Sequence, residues 1–138
     1  MSALTLVLLL AVTGCAMNEN IATRDLSAAT ETTTYAATVE VQHPGVPWAN
    51  KVVIRLYVRD ASITGVAAAV REAARAAADN PQLDDTDLTF IAYDGPPEDN
   101  EFAAGLFVMG SVSEIVGGKG VEDILDLRAK DVRLLAAE

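Results

Sequence analysis

The amino-acid sequence predicts an α+β domain, built as a four-stranded, mainly antiparallel sheet with helices covering one face. Three observations support this fold class. Apolar and polar residues alternate on both sides of a Pro- and Gly-rich turn at residues 43–50. Apolar residues then recur at three- and four-residue spacing over residues 60–80, and further apolar segments follow. The predicted order is strand-strand-helix-strand-strand-helix, in a single domain at residues 34–138.

The first two strands show the clearest alternation. In the first strand, the residues expected to point into the core are Tyr35, Ala37, Val39 and Val41. In the second strand they are Val52, Ile54, Leu56 and Val58. Because successive side chains point to opposite faces, Arg55, Tyr57 and Arg59 are predicted to lie together on the other face. Glu40 can then form a cross-strand pair with Arg55 or Arg59.

A helix is predicted for the segment Asp60–Asn80. Asp60 or Ser62 can cap its first turn, and Asn80 followed by Pro81 ends it. Its apolar stripe is mostly alanine, which allows a helix to lie close to a sheet.

The C-terminal half is predicted to contain two more strands and a helix. Strands at Asp87–Tyr93 and Phe102–Met109 are expected to form a hairpin with a long acidic loop. The run Gly117–Gly120 lacks the spacing of a phosphate-binding loop and is interpreted as a linker. The final segment, Val121–Ala137, fits a helix, and a strand near Val132–Leu135 is the alternative.

Composition and charge argue against some classes of partner. The chain has 138 residues with 20 acidic and 10 basic side chains, which gives a formal charge of −10. Phosphate binding needs clustered Lys and Arg, so nucleic acid is not an expected partner. The same charge disfavours attraction to anionic lipid, so attachment to a membrane needs hydrocarbon. The single cysteine cannot form an internal disulfide.

The N-terminal segment is typical of an exported protein. Leu4–Val12 is a hydrophobic stretch, shorter than the roughly 20 residues that a membrane-spanning helix needs. It leads into Val12-Thr13-Gly14-Cys15, an aliphatic residue and two small residues before a cysteine. This motif resembles the lipobox of bacterial lipoproteins. The resemblance implies that Met1–Gly14 is a signal peptide, that Cys15 carries lipid, and that the protein is anchored to a membrane of the cell envelope.

Residues 15–33 are interpreted as the lipidated cysteine followed by a flexible tether. This segment is rich in Ala, Thr, Asn and Glu and has few large apolar residues. It is therefore not expected to bury enough surface to offset the entropy of ordering. A mobile chain of about 18 residues would hold the domain at a root-mean-square distance of roughly 23 Å from its anchor.

No catalytic constellation, metal site or cofactor site is predicted. His43 is the single histidine and lies beside Pro44 in the turn, where a structural role is expected rather than catalysis. The acidic residues at 84–87 lack the spacing of an EF-hand calcium loop. Those at 94–101 are interpreted as a solvated loop.

Three classes of function follow from these observations. The first is a lipid-anchored binding or interaction module with a partner protein in the envelope. The second is a carboxylate-dependent hydrolase, and the third is a structural or assembly lipoprotein that acts through a strand edge or the exposed sheet face. The candidate partner surface comprises Arg55, Tyr57, Arg59 and Tyr93, with Trp48 at its rim, because Arg, Tyr and Trp are enriched in protein interfaces. The alternative is an ordinary solvated sheet face.

Overall fold

The computed structural model describes residues 17–42 and 51–138. The described residues form a five-stranded sheet and four α-helices. In chain order the elements are α1 (Glu19–Ala29), β1 (Thr34–Gln42), β2 (Lys51–Val58), α2 (Ile63–Asp79), β3 (Leu88–Asp94), α3 (Met109–Val116), β4 (Lys119–Val121), β5 (Ile124–Leu127) and α4 (Ala129–Ala136). The candidate residues Cys15, His43 and Trp48 lie outside the described residues.

The strands lie side by side in the order β1-β2-β3-β5-β4. β1 is antiparallel to β2, β3 is parallel to β2, and β5 is antiparallel to both β3 and β4. The α+β class is therefore confirmed, and the four-stranded, mainly antiparallel sheet is corrected to a five-stranded mixed one. β2 and β3 can run in parallel because α2 connects them. Parallel neighbours need a crossover connection of a dozen or more residues.

One apolar core joins the sheet to the helices. α1 contributes Leu26, α2 contributes Val66, α3 contributes Met109 and α4 contributes Val132, and all belong to the same buried cluster as Ile54 of β2. The alanine-rich face of α2 is buried, as the sequence predicted. Close packing of this kind is what makes such a core sensitive to changes of a single methylene.

The start of α2 is held by two hydrogen bonds from the backbone to side chains. Ser62 caps the helix, since its Oγ accepts the N–H of Gly65 at 3.1 Å. The Oδ1 of Asp60 accepts the N–H of Ser62 at 3.0 Å, and this bond lowers the pKa of Asp60. A Cβ at Gly65 would lie 2.3 Å from the Asp60 carbonyl oxygen, so the close turn requires glycine.

The predicted inward direction of Tyr35 is wrong. A β-bulge interrupts the pairing of β1 with β2 between Thr34 and Ala36, and Tyr35 is 49% exposed. Beyond the bulge the alternation is as predicted, with Val39 opposite Ile54 and both buried. The extra residue of a bulge moves the side chains before it to the other face.

The strand predicted at Phe102–Met109, and its hairpin with β3, are also wrong. Residues 103–106 form a loop, and β5 pairs with the first half of β3 instead. The loop makes one ladder-like contact, in which the N–H of Leu106 donates to the carbonyl of Ala92 at 2.8 Å. Phe102 is 94% exposed and Met109 is already the first residue of α3, so the apolar residues of this segment do not line one face of a strand.

The final segment divides into strand and helix. β4 and β5 form a hairpin, and Gly120 within it packs so closely on the Met109 carbonyl that a Cβ would meet it at 1.8 Å. The linker interpretation of Gly117–Gly120 is corrected, because β4 begins at Lys119. The helix predicted over Val121–Ala137 is confirmed only from Ala129 onward. The alternative of a strand near Val132–Leu135 is wrong, because both residues belong to α4 and lie on its buried side.

The flexible tether predicted at residues 15–33 is corrected by α1. The Oδ1 of Asn18 accepts the N–H of Ile21 at 3.1 Å and caps the helix. Ala22 and Leu26 are fully buried. Because α1 buries only two residues, its composition resembles that of a disordered segment although it is part of the core.

Candidate functional site

The sequence-predicted residues Arg55, Tyr57, Arg59 and Tyr93 lie on the same side of the sheet and, with Tyr35, form what we call the aromatic–arginine patch. Its centre is set by strand register, because Tyr57 of β2 pairs directly with Tyr93 of β3. The two rings stack with centroids 5.0 Å apart and an interplanar angle of 17°. Such offset aromatic pairs contribute stabilisation beyond their buried area, so the two rings form an ordered flat surface.

Arg55 lies beside this stack and forms an ion pair with Glu40 of β1. The predicted pairing of Glu40 with an arginine of β2 is therefore confirmed for Arg55. Although burial by itself disfavours the charged guanidinium, hydrogen bonds to Glu40 and Tyr93 raise the pKa of Arg55 above its usual value. The guanidinium is thus fixed in position and stays charged.

Arg59 extends the patch beyond the end of β2. Its guanidinium lies over the ring of Tyr35, with the Cζ atom 4.4 Å from the ring centroid. The Nε–H donates to the carbonyls of Glu31 at 3.0 Å and Thr34 at 3.1 Å. A cation over an aromatic face is attracted by the ring quadrupole. The place of Tyr35 in the patch could not be predicted from the sequence, because nothing in the alternating pattern marks the bulge.

The protonation state of Tyr57 is also influenced by the patch. Burial, together with the neighbouring Tyr93, raises the pKa of Tyr57 above its usual value, although Arg55 partly opposes this. The phenol therefore stays neutral throughout the physiological range and can donate or accept a hydrogen bond. Fixed guanidinium groups beside flat aromatic rings suit recognition of a partner surface.

The patch and the start of α1 lie at opposite ends of the sheet. β2 and β3 run in parallel and finish at Val58 and Asp94, and we call this the distal end. At the other end, here called the proximal end, the N–H of Asn18 donates to Gln82 Oε1 at 2.8 Å. The adjacent Glu19 accepts the N–H of Val41, near the end of β1, through its Oε2 at 3.3 Å. The described chain therefore begins at the end farthest from Tyr57, Arg59 and Tyr93.

The outer edge of β1 is covered by hydroxyl groups of α1. Ser27 Oγ accepts the N–H of Ala37 at 3.0 Å and donates to its carbonyl at 2.8 Å. One helical turn earlier, Thr23 Oγ1 accepts the N–H of Val39 at 2.9 Å. Four helical residues rise about 6 Å and two strand residues about 6.6 Å, so the spacing of Thr23 and Ser27 along α1 matches the spacing of Val39 and Ala37 along β1. An edge occupied in this way is not free to pair with another strand.

A shallow cavity of about 310 Å³ lies at the proximal end. It is lined by Lys51, Asp87, Leu88, Thr89, Asp126, Leu127 and Arg128. Both of its carboxylates have structural partners: Asp87 Oδ1 accepts the N–H of Ala129 at 2.8 Å at the start of α4. Asp126 Oδ1 accepts the hydroxyl of Thr89 at 2.6 Å across the sheet.

Asp85 of the acidic 84–87 loop is likewise used in the fold. Asp85 Oδ1 accepts from Arg133 of α4 at 2.6 Å, which ties the loop to the last helix. In residues 17–42 and 51–138, no group of three or more His, Cys, Asp or Glu side chains is arranged to hold a metal ion.

None of the helices in the described part of the chain is long and apolar enough to cross a membrane. Comparisons of the chain with protein-family models, with curated proteins and with solved structures gave no match.

Proposed function

We propose that this protein is a lipid-anchored interaction module of the bacterial cell envelope that binds a protein partner through the aromatic–arginine patch. In this proposal Met1–Gly14 is a signal peptide and Cys15 carries the lipid, which is what the lipobox-like motif Val12-Thr13-Gly14-Cys15 suggests. The patch supplies the aromatic and guanidinium groups that dominate binding energy in protein interfaces.

The observation that carries the proposal is the separation of the patch from the point where the described chain begins. Asn18 is bonded to Gln82 at the proximal end, and Cys15 precedes Asn18 by three residues. Three extended residues span at most about 11 Å. A lipid on Cys15 would hold the proximal end close to the bilayer and leave Tyr57, Arg59 and Tyr93 directed away from it.

The carboxylate-dependent hydrolase is less well supported. Asp87 and Asp126 both line the proximal cavity, yet each already accepts a hydrogen bond that holds two elements together. A general acid and base need freedom to exchange protons with a substrate. Action through the β1 edge is also less well supported, since Thr23 and Ser27 occupy that edge.

The lipid anchor is tested by mass spectrometry of the mature N-terminus. We expect a chain that begins at Cys15 and carries acyl mass, and we expect Cys15→Ala to lack that mass and to leave the membrane fraction. An unmodified Cys15 in a chain that still begins at Met1 would refute this part of the proposal.

The interaction role is tested by replacing Tyr57 and Arg59 together with Ser and comparing cross-linked envelope partners. Arg59→Ser alone is a second variant, since Arg59 is exposed and its loss leaves the core intact. Arg75→Ser, an exposed arginine on α2, is the matched control. We expect one partner to be lost from both patch variants and kept in the control, and retention of every partner by the folded variants would exclude this surface.

A further inference from the structure

We propose that a second surface, the loop at residues 101–107, docks into an apolar pocket of a protein partner whose rim carries Lys or Arg. We call this segment the phenylalanine loop. The inference rests on the interaction role proposed above, but it requires neither the lipid on Cys15 nor the aromatic–arginine patch.

The loop exposes two large aromatic side chains. Phe102 is 94% exposed and Phe107 is 69% exposed, and the intervening Ala103 and Ala104 are exposed as well. Both phenylalanines are thus left largely in water, although burying a Phe side chain is among the larger favourable contributions a residue can make. Two large apolar side chains exposed within six residues of one loop are candidates for an interaction site, since exposed apolar surface often marks one.

The backbone of the loop is held in place on both sides of the exposed residues. Before them, the Asn100 side chain donates to the carbonyls of Asp94 at 2.8 Å and Pro96 at 3.0 Å. After Phe102, Ala103 and Ala104, the N–H of Leu106 donates to the Ala92 carbonyl at 2.8 Å, and two residues after Phe107 the N–H of Met109 donates to the Glu122 carbonyl. Phe102 and Phe107 are therefore exposed on an ordered loop. Pre-organisation of this kind lowers the entropic penalty of binding.

The neighbouring segment extends the apolar surface. Gly105 packs against Ile91 and Asp123, where a Cβ would lie 2.5 Å from Ile91 Cγ2. The N–H of Met109 donates to the Glu122 carbonyl at 3.2 Å, which brings the end of the loop to the β4–β5 turn. That turn carries Val121, which is 55% exposed.

Charge selects the occupant of this surface. Residues 94–123, which include Val121, contain one basic residue, Lys119, and seven acidic residues: Asp94, Glu98, Asp99, Glu101, Glu114, Glu122 and Asp123. Acidic groups around an apolar centre favour a partner with a basic rim. They oppose contact with an anionic bilayer, and they oppose a second copy of the same acidic loop. A basic-rimmed pocket in another protein is therefore the occupant that fits.

The test places the photo-reactive residue p-benzoylphenylalanine at position 102 or 107 of the full chain in the cells that produce it. Position 111, an exposed serine on α3, is the control. We expect positions 102 and 107, but not 111, to label the same protein, at an apolar site flanked by Lys or Arg when mapped by mass spectrometry. Replacing Glu98, Asp99 and Glu101 with Lys should reduce the adduct at least roughly tenfold, since like charges facing each other disfavour the complex.

Experiments on the purified full-length chain then test the two other occupants, a membrane and a second copy of the chain. Binding to phosphatidylcholine vesicles, or self-association in sedimentation, that is abolished by F102S with F107S would overturn the proposal in favour of a membrane or a second copy. Absence of adducts at both positions would overturn it too. If Y57S with R59S removes the patch partner while the adduct at position 102 persists, the aromatic–arginine patch is tested separately from the phenylalanine loop.

Discussion

Two neighbouring side chains on β2, Leu56 and Arg55, have different roles: one packs in the core and the other lies at the surface. Leu56 is fully buried in the core. Arg55, one residue earlier, has a side chain that is 27% exposed and pairs with Glu40 on the other face. Strand geometry produces this difference, since successive side chains point to opposite sides of the sheet. The buried Leu56 is expected to control stability, and the partly exposed Arg55 to shape the surface.

Leu56→Ala is expected to destabilise the protein by about 2–5 kcal/mol, because it removes buried methyl groups and leaves a cavity. Arg55→Ala is the matched control and is expected to destabilise by under about 1 kcal/mol, since partly exposed ion pairs contribute little. Urea unfolding measures both losses. Equal losses would mean that the two faces of β2 have been assigned the wrong way round.

The raised pKa of Tyr57 gives the folded protein a pH dependence of defined sign. The folded state holds the phenolic proton more tightly than the unfolded state does. Its contribution to stability is therefore fully present below the ordinary tyrosine pKa of about 10 and is lost as pH rises through the higher folded-state value. Above pH 10 the stability of the wild type should fall more steeply than that of Tyr57→Phe.

Absorbance of phenolate provides the direct measurement for Tyr57. The folded wild type should show a component from Tyr57 that ionises above the usual range, and this component should be missing from Tyr57→Phe. The unfolded chain in urea is the control, in which the component returns to the ordinary range. Identical folded-state titration curves for the two proteins would contradict the assignment.

At the scale of elements, α1 shows how a hydrophilic helix can complete a sheet. Ser27 and Thr23 sit one turn apart and satisfy backbone groups of Ala37 and Val39 on the outer edge of β1. Edge strands left with free N–H and C=O groups invite pairing with other chains. α1 therefore protects β1 as well as contributing Leu26 to the core.

Ser27→Ala and Thr23→Val are each expected to destabilise the protein by about 1–3 kcal/mol, because each removes a hydroxyl and leaves edge groups of β1 unpaired. Ser111→Ala removes an exposed hydroxyl on α3 and should change stability by no more than about 0.5 kcal/mol. Amide exchange at Ala37 and Val39 should accelerate in the two variants. Unchanged exchange and stability would argue for a mobile N-terminal segment instead.

For the whole molecule, charge and chain direction together determine the orientation expected for a lipid-anchored domain. The formal charge of −10 opposes adhesion to anionic lipid, so a lipidated Cys15 would attach the domain by its proximal end alone. The seven residues of β3 separate the proximal and distal ends by about 20 Å. Both proposed interaction surfaces would then face away from the bilayer.

Energy transfer to a labelled lipid can measure this orientation. A fluorophore on Asp84→Cys, at the proximal end, is expected to transfer more efficiently to acceptor lipids in vesicles than one on Asp99→Cys, beyond the distal end of β3. The lipidated full chain is used for both measurements. Equal transfer from the two positions would show that the domain has no preferred orientation on the membrane.

The sequence by itself determined the features that depend on neighbouring residues. The faces of β2, the cap and length of α2, and the shared side of Arg55, Tyr57 and Tyr93 all follow from local periodicity, because side-chain direction repeats every two or 3.6 residues. The lipobox-like motif ending at Cys15 is equally local, and its role stays a prediction.

Tertiary structure alone decided the features that depend on partners distant in the chain. The parallel register of β2 and β3 brings Tyr57 onto Tyr93, and hydrogen bonds to β1 make a helix of a segment whose composition predicts disorder. The same holds for the bulge at Tyr35 and for the exposure of Phe102, since β5 occupies the place that an apolar strand was expected to take. Local patterns specify which way a side chain points, whereas pairing and burial depend on which segment competes best for each sheet edge.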